Sequence, residues 1–396
     1  MYAAVLRYPY ALRTFGAALL GRLSYGTVAL SLMLAVNAAT GSYAVAGAVM
    51  ALYGAASVLL SPLRALFIDR YGPRRALPPM ALGYAALLAV FAALTWRPGT
   101  PGALLVALAL PIGCLTPPLG PTMRAVWAGL LPDRKLLQRA YSLDGVAEEL
   151  LLVGGPLLVG VLVLFAPAAL GIALSAALVA VGTLVFVASP PVAAVVPEPR
   201  TRRPRAARGK LARGLRRPVI VTLGVGLALG AADLLVLAFA EDRGRDGAAA
   251  WILAALSAGS AAGGLLNGAL DLPWAARSRL PFLALGLALA LGGAALAPSL
   301  PALAVAAACV GLFVAPALTT AYLTADEAVD PGFRTQAGAW VNTSLNAGSS
   351  AGTAGVGLLV GQFPLPVCFA AAATAPLVAA AVSVGWRRTP ALEPAA

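Results

Sequence analysis

The chain has no histidine, only three cysteines, and charged residues at just 11% of its 396 positions. Soluble domains run at roughly 25% charged, so an ordinary water-soluble fold is excluded. Without histidine, the side chain that titrates near neutrality and most often ligates metals is missing. Cys114, Cys309 and Cys368 each stand alone in an apolar run, which suggests neither a disulfide framework nor a metal site. No cofactor is expected. A Walker A loop is missing too, because the Gly-Lys pair at 209–210 is followed by Leu211. No nucleophile stands beside a base, so an ATP-driven pump and a membrane-embedded enzyme are both set aside. Acidic residues are scarce, 15 against 28 Lys and Arg, for a formal charge of +13. That excess could suit nucleic acid, but nearly all of it lies in short loops, where it sets membrane topology. A nucleic-acid partner is not expected.

What fills the sequence is hydrophobic residues, 60% of the total. At about 20 apolar residues per span, twelve transmembrane helices are predicted. They fall near 14–38, 43–67, 76–96, 102–129, 138–164 and 167–188, then 218–240, 248–270, 280–297, 300–324, 335–361 and 365–386. The short alternating strands of a barrel are not seen. The first run is interrupted by Arg22 and is read as a retained helix rather than a signal peptide. Residues 197–218 form the one long polar segment, whose nine Lys and Arg are read as anchoring topology, with binding of anionic lipid headgroups as the alternative. This gives an all-α polytopic protein: a six-helix bundle over 1–190, a basic linker over 191–217, and a second six-helix bundle over 218–396. With the N-terminus inside, cytoplasmic segments hold 23 Lys and Arg, and external loops hold only Arg97, Arg243 and Arg245. Both termini are therefore expected in the cytoplasm, in a plasma membrane. An offset of 198 residues pairs Gly113 with Gly311, Pro118 with Pro316, Gln138 with Gln336 and Gly154 with Gly352. The hydropathy layout carries the repeat, and these identities agree with it.

Residues 61–77, SPLRALFIDRYGPRRAL, are a charged knot between two apolar runs. Asp69, Arg70, Gly72 and Arg74 resemble the loop signature between helices 2 and 3 of the major facilitator superfamily. Ala65, Phe67 and Pro73 depart from it. Around Asp271, GLLNGALDLPWAARSR reads as a decayed copy. The resemblance implies two six-helix halves around a cavity lined by helices 1, 4, 7 and 10, in a transporter working by alternating access. It also implies that Asp69 acts in gating, by holding the positive end of helix 11 near Thr335. Gly154, Gly155 and Pro156 on helix 5 resemble in part the Gly- and Pro-rich signature of drug–proton antiporters in that superfamily. Small-residue packing would explain them as well.

Charges inside spans are costly and therefore informative. Arg22 lies about 12 Å and Arg124 about 9 Å from the inner ends of their helices, at 1.5 Å per residue. Asp144 and Glu148 lie four apart on one face of helix 5, at similar depth. The four could form a structural ion-pair network or a proton-coupling one. Glu148 is favoured as the proton carrier, and Asp144 as the structural partner of Arg124. In the second half Asp233 sits well inside a span and is, with Asp144 and Glu148, a third candidate for proton coupling. Thr319, Tyr322, Asn342 and Asn346 offer neutral polarity suited to a substrate cavity, or alternatively to interhelical hydrogen bonds. The function expected is proton-coupled efflux of a small amphiphilic compound by a monomer in the lipid bilayer. The alternatives are proton-coupled uptake of a nutrient, or a sensor that binds without transport.

Overall fold

The computed structural model describes residues 2–131, 133–195, 205–245, 247–270 and 274–385. Among them twelve helical segments follow the apolar runs. They are α1 (Ala11–Thr40), α2 (Tyr43–Leu59 continued by Ser61–Tyr71), α3 (Pro73–Leu94) and α4 (Gly102–Leu115 continued by Leu119–Leu130). After these come α5 (Arg134–Leu162), α6 (Ala168–Val187), α7 (Arg205–Asp242), α8 (Ala248–Ala269), α9 (Ala276–Ala294), α10 (Leu300–Glu327), α11 (Arg334–Leu359) and α12 (Leu365–Gly385). Among the described residues no strand forms beyond one isolated bridge, Val360 with Phe363. Nine of these segments are long and apolar enough to cross a bilayer, and the bent α2 pair makes a tenth. The remaining two, α9 and α11, fall short because of what they carry. Arg277 and Arg279 sit in the first turn of α9, and α11 holds Asn342, Asn346 and a series of hydroxyls. Polar spans of this kind face protein or water rather than lipid.

Two helices that the apolar runs predict as continuous are interrupted. The bend in α2, 42°, falls at Leu60 beside Pro62. In α4 the break is at Thr116-Pro117-Pro118, because two consecutive prolines remove the N–H groups that would continue the ladder. The start of α7 at Arg205 also carries helix into the segment that composition marks as a linker.

The described residues fall into two compact units. One draws on Met1–Leu137, Ala147–Arg203 and Asp330–Ala339; the other draws on Gln138–Val146, Pro204–Val329 and Trp340–Ala396. Residues 138–146 of α5 and the first turns of α11 are thus not grouped with the bulk of their own sequence halves. Inside the first unit α1 packs on α6, α2 on α4, and α3 on α6. Inside the second, α7 packs on α12, α8 on α10, and α9 on α12. The same plan is therefore built twice.

Small residues set the closest approaches. A Cβ on Gly155 would strike the backbone of Gly26, so α5 and α1 touch main chain to main chain. In the second unit Gly226 and Gly230 of α7 meet the backbone of Leu345 and Ser349 on α11 in the same way. Gly113 abuts Tyr53 and Ala56, and its repeat partner Gly311 abuts Leu256 and Ser260. That pairing has a packing cause. The pairing of Gly154 with Gly352 has none, since Gly154 faces open space while Gly352 contacts Leu227. Within helix 5's Gly-Gly-Pro, Gly155 is the packing residue. In a bilayer such small-residue contacts supply van der Waals packing that lipid-exposed side chains cannot.

Candidate functional site: a buried charge cluster and a carboxylate at a helix start

The first unit concentrates its polar groups around the interruption in α4. Without N–H groups, Pro117 and Pro118 leave the carbonyls of Gly113 and Cys114 without their usual helical donors. Arg64 of α2 takes both: Nη1 donates to Gly113 O at 2.7 Å and to Cys114 O at 3.1 Å. Its Nη2 donates to Ser57 O, ahead of the bend in α2. Arg64 is only 6% exposed. Counted with the loop basics in the sequence, it is in fact a core residue, because α2 continues to Tyr71 and leaves it two turns inside. The Tyr25 hydroxyl donates to Pro117 O, and Ser57 bonds to Thr116 at 2.8 Å. Tyr53 and Tyr84 pair through their hydroxyls at 3.1 Å.

One turn beyond the interruption is the ion cluster. Glu148 of α5 meets Arg22 of α1 at 3.0 Å and Arg124 of α4 at 2.5 Å, both through Oε2. The guanidiniums are almost wholly buried, 2% and 5% exposed, whereas the Glu148 side chain is 37% exposed. Arg124 thus ion-pairs with Glu148. Asp144 is fully buried one turn earlier on the same helix. Three helices are joined through a single carboxylate oxygen.

Asp69 ends α2 where Gly72 turns the chain, at φ 82° and ψ 150°, a backbone conformation that suits glycine. Its carboxylate accepts from the backbone N–H of Gln336 at 2.9 Å and of Thr335 at 3.2 Å. These are orphan donors at the start of α11, where a negative charge is stabilised by both hydrogen bonds and the helix dipole. Arg70 and Arg74 are exposed, and Arg70 lies over the Tyr71 ring at 5.4 Å. Asp271 lies outside the described residues. Near it in sequence, Gln138 of α5 donates to Asn267 O at the end of α8 and accepts from Arg279 at 2.8 Å. Arg139 donates to Gly268 O at 3.3 Å.

On the second unit's helices, Tyr322 donates to Asn342 at 3.4 Å, and Asn346 donates to the Asn342 carbonyl at 3.0 Å. Thr319 is buried, 3% exposed. Asp233 is exposed on α7 and takes part in none of these contacts.

The sequence matches the Major Facilitator Superfamily over residues 14–352. The chain belongs to this superfamily. Its fold is accordingly the major facilitator fold, and a superfamily member of this kind is a multi-pass membrane protein and a secondary transporter. The fold resembles that of a bacterial homologue of the iron transporter ferroportin in an outward-facing state. That match has a TM-score of 0.77 and 16% identity, and covers 96% of this chain and 99% of the other. It also resembles the human organic anion transporter, with a TM-score of 0.75, 16% identity and the same coverage. The E. coli fucose:proton symporter aligns with a TM-score of 0.68 and 15% identity, over 98% of this chain and 100% of that one. No curated protein matches the sequence.

Proposed function

We propose that this superfamily member exports a small amphiphilic compound in exchange for protons, by alternating access. The observation that carries the reading is Glu148. One oxygen is shared by two buried guanidiniums, and the Glu148 side chain is 37% exposed. A proton on this carboxylate would compete with Arg22 and Arg124 for it, so proton binding and the arrangement of α1, α4 and α5 are linked. No histidine is available for the task. Export is the direction favoured by the antiporter-like Gly154-Gly155-Pro156 on α5. The protein is read as a monomer in the plasma membrane with both termini cytoplasmic, its halves 1–190 and 218–396 joined by the basic segment 191–217. The deciding experiment is flux in reconstituted vesicles with an imposed pH gradient, against a panel of amphiphilic compounds. Proton-driven movement opposite to the proton flow is expected. Movement in the same direction as protons would make the protein an uptake system, and binding without flux would make it a sensor.

Asp69 serves this cycle as a latch. Its two hydrogen bonds to the start of α11 exist in the arrangement described here and must break whenever those elements separate. Asp69→Asn keeps the shape but removes the charge, and charge-assisted bonds are roughly twice as strong as neutral ones. Transport should fall about tenfold while equilibrium substrate affinity stays within about threefold. A large loss of affinity with an intact conformational cycle, followed by fluorescence labelling at position 335, would reject the latch.

A further inference from the structure

The packing plan is built twice, but the two units do not bend alike. In the second unit α10 keeps an interior proline, Pro316, the repeat partner of Pro118, and runs unbroken from Leu300 to Glu327. Its neighbour α8 is also unbroken and carries no Lys or Arg from Ala248 to Ala269. In the first unit both counterparts are interrupted, α2 at Leu60 and α4 at Thr116-Pro117-Pro118. The two interruptions stand at one level, where the Ser57 and Thr116 hydroxyls bond at 2.8 Å. The plan itself does not demand them. They occur in the unit that holds the ion cluster and the Asp69 contact.

Arg64 makes the paired interruptions a pivot. In an unbroken α4 the N–H groups of positions 117 and 118 would bond the carbonyls of Gly113 and Cys114. Arg64 Nη1 serves both carbonyls instead, from the neighbouring helix. Among the described residues no backbone hydrogen bond joins the segment ending at Leu115 to the one starting at Leu119. The angle at the break can therefore change without breaking a ladder bond. Beyond the pivot each helix continues as a short arm: Ser61–Tyr71 of α2 carries Asp69, and Leu119–Leu130 of α4 carries Arg124. The arms touch each other. A cavity lies against both, lined by Asp69, Gly72, Thr122, Val126, Pro331 and Thr335, and it leaves them room to move. Asp69 is about 14 Å beyond Leu60, and Arg124 about 9 Å beyond Pro118. A rotation of about 10° at Leu60 would carry Asp69 about 2 Å. That is enough to break its hydrogen bonds of 2.9 and 3.2 Å to the start of α11.

We propose that the two arms move as one lever on the Arg64 pivot, and that this lever transmits the state of Glu148 to the Asp69 latch. While the Glu148 carboxylate holds Arg124 at 2.5 Å, the α4 arm is tied to α5. A proton on Glu148 loosens that tie. The α4 arm then swings at Thr116-Pro117-Pro118 and displaces the α2 arm, and Asp69 leaves the start of α11. This rests on the transport reading above and supplies the step between its proton site and its latch. Arg64 is a positioning residue in that step, acting through the carbonyls it holds.

The test uses the full-length chain in lipid nanodiscs, with its three cysteines replaced by alanine. Spin labels at Phe67→Cys and Asp330→Cys, two exposed positions on either side of the latch, report the distance across it. Double electron–electron resonance then gives the fraction of molecules with the latch apart. Glu148→Gln, which stands for the protonated carboxylate, should raise that fraction about tenfold or more. Asp69→Asn should do the same. Pro117→Ala together with Pro118→Ala restores two N–H groups and stiffens α4. In that background Glu148→Gln should change the fraction less than about twofold, while Asp69→Asn still raises it about tenfold. Pro118→Ala alone restores one N–H and should give an intermediate response, so the comparison survives a double variant that fails to fold. Thermal melting checks each variant. A full response to Glu148→Gln in either alanine background overturns the lever. So does loss of the Asp69→Asn response there, because the break would then serve any opening rather than the link. If Glu148→Gln leaves the latch closed with both prolines present while vesicles show proton-driven flux, the lever falls and the transport reading stands. If the latch is equally unmoved and vesicles move no compound, both fall.

Discussion

Arg64→Met should unfold the first unit's core at a temperature lower by on the order of 5–10 °C. Methionine fills much of the same volume, so the change isolates the hydrogen bonds. Three carbonyls, those of Gly113, Cys114 and Ser57, lose the donor they share. Each buried carbonyl left without a donor costs about 1–3 kcal/mol, although Gly113 O keeps the backbone N–H of Thr116 at 3.4 Å, and lipid offers no water in exchange. Relief from burying a cation offsets part of that loss. Arg64→Lys should recover only a fraction, because an ammonium is a point charge and cannot span carbonyls on two helices as the planar guanidinium does. Melting followed by intrinsic fluorescence in detergent would read both variants. An Arg64→Met melt equal to that of the unaltered protein would show that the interruption in α4 is held by other means.

That residue also shows how much of the molecule the sequence discloses. Helix number and extent are legible because a bilayer imposes a length, and apolar runs record it directly. The duplicated packing plan is legible through hydropathy layout, and Gly113 with Gly311 is a repeat identity with a shared cause. Hydropathy is blind to hydrogen bonds, however. Pro117-Pro118 is as apolar as its flanks, so the run from 102 to 129 reads as one rod although two N–H groups are missing from it. Arg64 is hidden for a related reason. A count of basic residues credits it to the nearby loop, whereas its role follows from the carbonyls those prolines release. The signal that could have located it was the conjunction of a proline break with an arginine at matching depth on a neighbouring span.

The candidate site was legible in part for similar reasons. Intramembrane charge is rare enough that Arg22, Arg124, Asp144, Glu148 and Asp233 stand out without any structure. What sequence could not assign is which carboxylate takes which arginine, because Asp144 and Glu148 share a helical face and differ by a single turn. Nor could it separate Asp233, which is exposed on α7, from Glu148, which two guanidiniums hold. Only distances make that distinction.

Glu148→Gln should abolish proton-driven accumulation of substrate and also destabilise the protein by about 3–5 kcal/mol, the usual consequence of removing one partner from a buried ion cluster. The glutamine oxygen can still accept a hydrogen bond from one guanidinium, but the charge of two buried cations is no longer neutralised. The two effects have different origins and can be separated. Combining Arg22→Gln with Glu148→Gln removes one of the uncompensated cations, so part of the stability should return. Transport should not, because no carboxylate is left at that place to take up and release a proton. Glu148→Asp keeps the charge but retracts it by one methylene, about 1.5 Å. It should hold stability better than glutamine does and shift the pH dependence of flux. Vesicles with an imposed gradient, assayed over a range of external pH, give both readouts beside a melting curve. A purely structural cluster predicts that the stabilised double variant transports normally. Accumulation by Glu148→Gln with an unchanged pH dependence would likewise remove this carboxylate from the coupling step and leave Arg22, Arg124 and Glu148 as a brace between three helices.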